Sequence, residues 1–203
     1  AERIDRPNVI TVDMGGTSFD IALIGGGAPR LASEAEIAGH ALKVPMLDIH
    51  TIGAGGGSIA WIDAGSALRV GPQSAGAEPG PAAYGRGGAE ATVTDANLVL
   101  GRLNPDYFLG GAMKLDRDAA WKAVAEKIAR PLGLGTLEAA EGIIRVINAT
   151  MAKGIRHVSV RRGHDPRVFS LIAFGGAGPL HAVELAADLD IPEVIIPPAP
   201  GLT

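Results

Sequence analysis

The alternation of apolar and polar positions changes period several times along the chain, and each change marks an element. Asn8 to Met14 (NVITVDM) is β-branched and almost continuously apolar, the pattern of a buried strand. Phe19 to Ile24 (FDIALI) alternates with period two and predicts a second strand, which GGG at 25–27 turns into a third, Pro29 to Ser33. Residues 35 to 93 lose both periods and hold most of the glycine, a long loop region of functional character punctuated by short strands at Ser58–Ile62 and Leu68–Val70. The period then becomes helical. Thr94-Asp95 predicts the cap of a short helix, Ala96 to Leu103. Asp116 opens a second, DRDAAWKAVAEKIARPLG, which Gly133 ends, and Thr136 starts a longer one. Ile143, Ile144, Ile147, Met151 and Ile155 give that third helix one apolar face. A βαβ unit closes the pattern: strand Phe169–Phe174, the tight loop GGAG, helix Pro179–Leu189 and a parallel strand Glu193–Ile196. The class is α/β with a mixed sheet, in which an N-terminal meander is followed by helices and crossover strands. A single domain over 1–203, with a glycine-rich insertion at 35–93, is the expected organisation.

Composition sharpens this picture in a few places. The 203 residues suffice for a real core, but aromatics make up only 4%, so that core rests on Ala, Val, Ile and Leu. Glycine is abundant, at 29 residues, and clustered, which marks particular loops rather than a flexible polymer. The net charge of −4 comes without a basic stripe or aromatic–basic interleaving, which argues against a nucleic-acid partner. No apolar run approaches the roughly 20 residues that span a bilayer, and AERIDRPN is not a signal-peptide pattern. With no cysteine there is neither a disulfide frame nor a thiolate site, in keeping with the cytoplasm. The abrupt ends, a strand almost at once and PPAPGLT straight after VII, suggest a fragment of a longer protein.

Two glycine loops carry the chemistry. In VDMGGTSFD the first strand ends at Asp13, and Gly15, Gly16, Thr17 and Ser18 turn the chain into the second, which begins beside Asp20. Glycines let backbone approach a ligand and aim N–H groups at one anion, while the hydroxyls add donors. A carboxylate beside such a turn repels phosphate directly but serves it through Mg²⁺ or an ordered water. The competing reading is a hairpin whose polar turn satisfies its own backbone. The second loop, FGGAGPLHA, leaves a buried strand, turns on Gly175, Gly176 and Gly178, and enters a helix with Pro179 in its first turn. The dinucleotide pattern fails, because its sixth position is His181, and no GK[ST] of a Walker loop occurs. The pairing of a D-x-GGTS-x-D hairpin with a later GGAGP turn is how phosphate-hairpin ATPases of the actin, Hsp70 and sugar-kinase type are built.

The order DMGGTSFD, DIHTIGAGGGSIAW, EPGPAAYGRGG, TVTDANLVLGRL, SVRRGHDPR and FGGAGPLHA resembles the core of the hydantoinase A/5-oxoprolinase family, with the similar subunits of ketone carboxylases. The resemblance covers essentially the whole chain. It implies an actin-like (ribonuclease H-like) ATPase lobe, ATP and Mg²⁺ as cofactors, and an ATP-dependent cyclic amidase that phosphorylates an amide carbonyl before hydrolytic ring opening. Family members are longer and begin with a lobe carrying its own D-x-GGT loop, so DMGGTSFD corresponds to the second phosphate loop and GGAGPLHA to the adenosine side. The resemblance also implies a B-type partner subunit, a small cyclic amide substrate and an oligomeric full-length protein. Ala83 stands where relatives often carry Cys, which withdraws any role resting on that thiol.

By this reading Asp13 orders Mg²⁺ or its water, Gly15 to Ser18 and Asp20 border the phosphates, and Gly175, Gly176 and Gly178 border the nucleoside. Asp48 and His50 share one strand face beside the glycine loop GAGGGS and are the candidates for substrate-side proton transfer, with metal ligation the lesser alternative. GAGGGS itself either touches substrate or nucleotide or packs under other backbone. Tyr84 and Arg86 are weaker candidates for a ligand clamp. Arg161, Arg162, His164 and Asp165 read as a solvated turn that Asp165–Pro166 stops, with an anion clamp the lesser alternative, and His40, His157 and His181 as structural. Other functions compete: a non-catalytic scaffold at a subunit interface, the related subunit of a ketone carboxylase, or a sugar-kinase-like phosphotransferase, which leaves DIHTIGAGGGSIAW unexplained.

Overall fold

The structure, a computed structural model, describes residues 4–32, 35–37, 40–42 and 44–202. In chain order its strands are β1 (Val9–Met14), β2 (Phe19–Gly25), β3 (Ala28–Pro29), β4 (Leu31–Ala32), β5 (Ala35–Ile37), β6 (His40–Leu42), β7 (Met46–Leu47), β8 (Ile49–Ile52), β9 (Ser58–Ile62), β10 (Leu68–Ser74), β11 (Ser170–Phe174) and β12 (Glu193–Ile195). The α-helices are α1 (Val93–Val99), α2 (Arg117–Val124), α3 (Arg130–Leu132), α4 (Thr136–Val158) and α5 (Gly178–Asp188). They group into two compact units: Ala1–Asp13 with Phe19–Ile52 and Ala152–Thr203, and Met14–Ser18 with Gly53–Met151.

The first unit is built on a six-stranded mixed sheet of order β12-β11-β1-β2-β3, with β8 also pairing β2. β11 runs parallel to β1 and β12 parallel to β11, as a βαβ crossover through α5 requires, while β3 and β8 run antiparallel to β2. The apolar side chains of β1 and β2 supply the centre: Val9, Ile10, Val12, Phe19 and Ile21 are fully buried. The expected third strand, Pro29–Ser33, is instead two short ones. Past Pro29 the Arg30 N–H still donates to the Leu23 carbonyl of β2 at 3.3 Å, but β4 then pairs with β7 instead of β2. Ser33 lies outside the described residues.

In the second unit β9 and β10 form an antiparallel hairpin. The expected helix Ala96–Leu103 starts and stops earlier, as α1. Thr92 is its N-cap, accepting from the Asp95 N–H, while the Asp95 side chain accepts from the Thr92 N–H. Asp95 is therefore the third residue of a reciprocal capping box and not the cap itself. Asp116 caps α2 as expected, and the helical path continues through a π-helical stretch, Ala125–Ala129, and α3. Gly133 ends it in the left-handed conformation, φ 66°, which only glycine adopts without strain. α4 stops at Val158, and its stripe of Ile143, Ile144, Ile147, Met151 and Ile155 is buried throughout.

Candidate functional site

The register of the sheet decides where the chemistry lies. β1 and β11 run parallel with Asp13 opposite Phe174, so the Asp13 carboxylate and the Gly175–Gly178 turn leave the sheet at the same edge, the carboxyl end of both strands. Open α/β sheets bind ligands at that edge. Asp20 stands at the start of β2, where the Thr51 hydroxyl donates to its Oδ1. Partial burial, and then the charge of Asp20, push the Asp13 carboxyl above its ordinary value.

The Gly175–Gly178 turn is held from one side, with the Gly175 N–H donating to the Pro200 carbonyl at 2.8 Å. A Cβ added at Gly176 would meet nothing within 4 Å. α5 begins at Gly178 with no side chain capping it; Pro179 has no N–H and the Leu180 N–H donates to the Ala177 carbonyl at 3.1 Å, so of its first three residues the Gly178 N–H is the one left to other acceptors.

The hairpin tip, Met14–Ser18, belongs to the second unit. Its turn is closed by the Gly15 N–H donating to the Ser18 carbonyl. The GAGGGS loop packs against it: the Gly56 N–H donates to the Gly15 carbonyl at 3.0 Å and the Gly57 N–H to the Gly16 carbonyl at 2.7 Å. A Cβ at Gly55 would collide with the Gly16 and Thr17 backbone, whereas Cβ positions at Gly15 and Gly16 face open space. Glycine at 55 is thus a packing requirement, and glycine at 15 and 16 is not. Of the alternatives left open by the sequence, GAGGGS packs under backbone.

Asp48 and His50 separate into different partnerships. Asp48, in the link before β8, receives both terminal nitrogens of Arg162, and Arg30 Nε lies 3.6 Å away. Arg30 Nη1 is 3.3 Å from His164 Nε2. The His50 ring stacks on His157 of α4 at 4.6 Å between centroids. Burial first, then His157 and Arg162, lower the His50 pKa, with Asp48 opposing them. His50 is therefore neutral at pH 7 and able to accept a proton. Among the described residues no group of three or more His, Cys, Asp or Glu is arranged to hold a metal ion. The depressed value fixes a sign. As pH falls below the ordinary histidine value of about 6.5, the unfolded chain takes a proton that folded His50 resists, so stability drops. We expect His50→Gln to lose less melting temperature than wild type on acidification, and equal losses would remove this assignment.

Arg162 was not legible as a partner: SVRRGHDPR reads as a solvated turn, and only the fold brings it to Asp48. Asp95 was legible as a helix cap and nothing more. It is fully buried, and beyond the capping box its carboxylate accepts from the Ala83 N–H at 2.7 Å and the Ala82 N–H at 3.3 Å. One side chain thus ties the Gly/Pro loop to the start of α1. Burial raises its pKa despite those donors. His181 is buried, and the side chain of His40 lies outside the described residues.

Residues 1–203 match the family described as Hydantoinase/oxoprolinase. Caprolactamase subunit alpha of Pseudomonas jessenii is 52% identical over 190 residues, which cover 94% of this chain and 27% of that protein. The crystal structure of the ATP-dependent caprolactamase from the same organism superposes with a TM-score of 0.90 at 51% identity, covering 97% of this chain and 28% of that one. A nucleotide-free structure of acetone carboxylase superposes with a TM-score of 0.89 at 36% identity, over 98% of this chain and 28% of that one. The chain thus spans under a third of the length of these relatives. With the family matched end to end and the mixed sheet shared, the chain belongs to the hydantoinase/oxoprolinase family.

Proposed function

We propose that this chain is an ATP-binding lobe, of actin-like build, within an ATP-dependent enzyme that opens a cyclic amide. The observation that carries the proposal is the Asp13–Phe174 register, which sets a carboxylate and an uncapped glycine turn at one sheet edge. The site suits the groups it would hold. Open space at Gly15, Gly16 and Gly176 leaves room for close approach of phosphates and nucleoside. Mg²⁺ usually takes one or two protein carboxylates and fills its other positions with water and phosphate, which fits Asp13 beside Asp20.

Hydantoin and lactam amides are poor electrophiles because nitrogen donates into the carbonyl, and ATP supplies the phosphoryl group that makes the carbonyl oxygen able to leave. The residues supply position and charge. Asp13 orients the metal or its water, with Asp20 beside it. Within Gly15 to Ser18, whose own turn uses the Gly15 N–H, the Gly16 and Thr17 N–H groups and the Thr17 and Ser18 hydroxyls would bind phosphate oxygens, and Gly175, Gly176 and Gly178 would line the nucleoside side. His50, neutral and half-buried, is the group able to take a proton on the substrate side, and Asp48, held by Arg162 and Arg30, fixes the start of its strand.

A ketone carboxylase subunit is the second reading, supported by the superposition on acetone carboxylase. The higher identity to the caprolactamase favours the amide. Against a silent scaffold stands the open glycine tip, which packing alone does not require. The name of the caprolactamase relative as a subunit supports a partner subunit, here of B type, and an oligomeric assembly in the cytoplasm where ATP is available. Among the described residues no helix is long and apolar enough to cross a membrane.

The test is Gly176→Val in the full-length protein. Valine fits the space but obstructs a ligand there, so nucleotide affinity by calorimetry should fall about tenfold or more, equivalent to ~1.4 kcal/mol, with a smaller effect on melting. Unchanged affinity with a large fall in melting temperature would make Gly176 a packing residue and remove the turn from the site.

A further inference from the structure

We propose that Thr94 positions the phosphate hairpin, through a hydrogen-bond relay that runs from Thr94 through Gly56 to Gly15. This rests on the reading of Gly15–Ser18 as a phosphate loop, and it adds a residue and a route to that site. All members belong to the second compact unit.

Thr94 sits in the first turn of α1, but its hydroxyl takes no part in capping that helix. The box of Thr92 and Asp95 already satisfies the cap. The Thr94 Oγ1 instead donates to the Gly56 carbonyl at 2.9 Å, and the Thr94 N–H donates to the same oxygen at 2.8 Å. Both donors come from a residue that is itself buried. On its other side Gly56 donates its N–H to the Gly15 carbonyl, and Gly57 does the same to Gly16. The turn between them is stiffened by Ser58, whose Oγ accepts from the Gly55 N–H at 2.9 Å and whose N–H donates to the Gly55 carbonyl. With the carbonyls of Gly15 and Gly16 tied down and the Gly15 N–H closing the turn, the Gly16 and Thr17 N–H groups are the ones an anion would meet.

Asp95, the next residue of the same helix turn, accepts from the Ala82 and Ala83 N–H groups and so holds the Gly/Pro loop. Adjacent residues of one helix turn therefore hold the Gly/Pro loop and, through Gly56, the hairpin tip. A change in the first turn of α1 reaches the phosphate loop through the Thr94–Gly56 and Gly56–Gly15 hydrogen bonds and one stiff turn.

The experiment uses the full-length protein with Thr94→Val, which keeps the shape and removes the hydroxyl, together with Thr94→Ser and Thr94→Ala. Exchange of the Gly56 and Gly57 amides, followed by hydrogen–deuterium exchange, should speed up about tenfold in Thr94→Val, as loss of one hydrogen bond predicts, and return to normal in Thr94→Ser. The KM for ATP should rise by a similar factor in Thr94→Val and recover with serine. Faster exchange with unchanged ATP kinetics would keep the relay and overturn the phosphate-loop reading. Unchanged exchange at Gly56 and Gly57 would overturn the relay, whatever the kinetics do. Should Thr94→Val fail to fold, Thr94→Ala decides: it must speed exchange at Gly56, and protection equal to wild type would sink the proposal.

Discussion

Asp13→Asn is expected to abolish ATP turnover in the full-length protein, by about a hundredfold or more as for loss of one charge-stabilising group, while its melting temperature at neutral pH stays level or rises. Asparagine matches aspartate in shape but cannot order a cation. Folding gains nothing from this carboxylate: burial and the charge of Asp20 both oppose its ionisation. The sign follows from linkage. The folded pKa of Asp13 lies above its unfolded value, so the ionised group costs stability above the folded pKa and costs nothing once pH falls below the unfolded one, near 3.9. The stability gain of Asp13→Asn should therefore be present at pH 7 and vanish as pH approaches 4. Phosphate release and calorimetric melts at both pH values check the two halves. Turnover at the wild-type rate would leave Asp13 a turn residue and nothing more.

Gly55→Ala is expected to do the reverse and damage the fold itself. The added methyl would stand 2.6 Å from the Gly16 carbonyl oxygen and closer still to the Gly16 carbon and the Thr17 nitrogen. Those are backbone atoms with no rotamer to change, so the two loops must part, breaking the hydrogen bonds from Gly56 and Gly57. Overpacking of this kind costs about 3 kcal/mol, and the parted tip should lose nucleotide as well. Gly16→Ala is the matched control. Its methyl would point into open space, so melting should change little while nucleotide affinity falls. If Gly55→Ala melts as wild type, the packing described for GAGGGS is wrong, and if Gly16→Ala binds nucleotide normally, the tip is not a phosphate site.

The strands and helices that carry their own period were legible in the sequence. NVITVDM and FDIALI gave β1 and β2 almost to the residue, and the Ile/Met stripe gave α4. Errors fell where local chemistry admits two answers. Asp95 looks the same in one dimension as a cap or as the third residue of a capping box, and only the Thr92 geometry distinguishes them. Pro29 looks like a strand start after GGG, yet it is the last residue of β3, and beyond Arg30 the chain changes partner from β2 to β7. The two glycine loops were visible as motifs, but the common edge of Asp13 and the Gly175–Gly178 turn came from the register of strands far apart in sequence. The partners of Asp48 and the burial of Asp95 under the Gly/Pro loop are likewise long-range, and no local pattern encodes them.

The parallel alignment of β1, β11 and β12 also has a mechanical consequence. β1 enters the sheet at Val9, level with Ser170, and β12 leaves it at Ile195, level with Ile172. A pull applied through the chain before Val9 and after Ile195 is therefore directed along the strands, toward opposite ends of the sheet. It loads the ladder hydrogen bonds in shear, all at once, where an antiparallel hairpin pulled from its open end would unzip them one by one. The Arg6–Glu193 ion pair, at 2.7 Å, lies at the loaded end of that ladder. The edge that carries Asp13 and the glycine turn is thus set in the part of the sheet best built to resist tension passed along the chain.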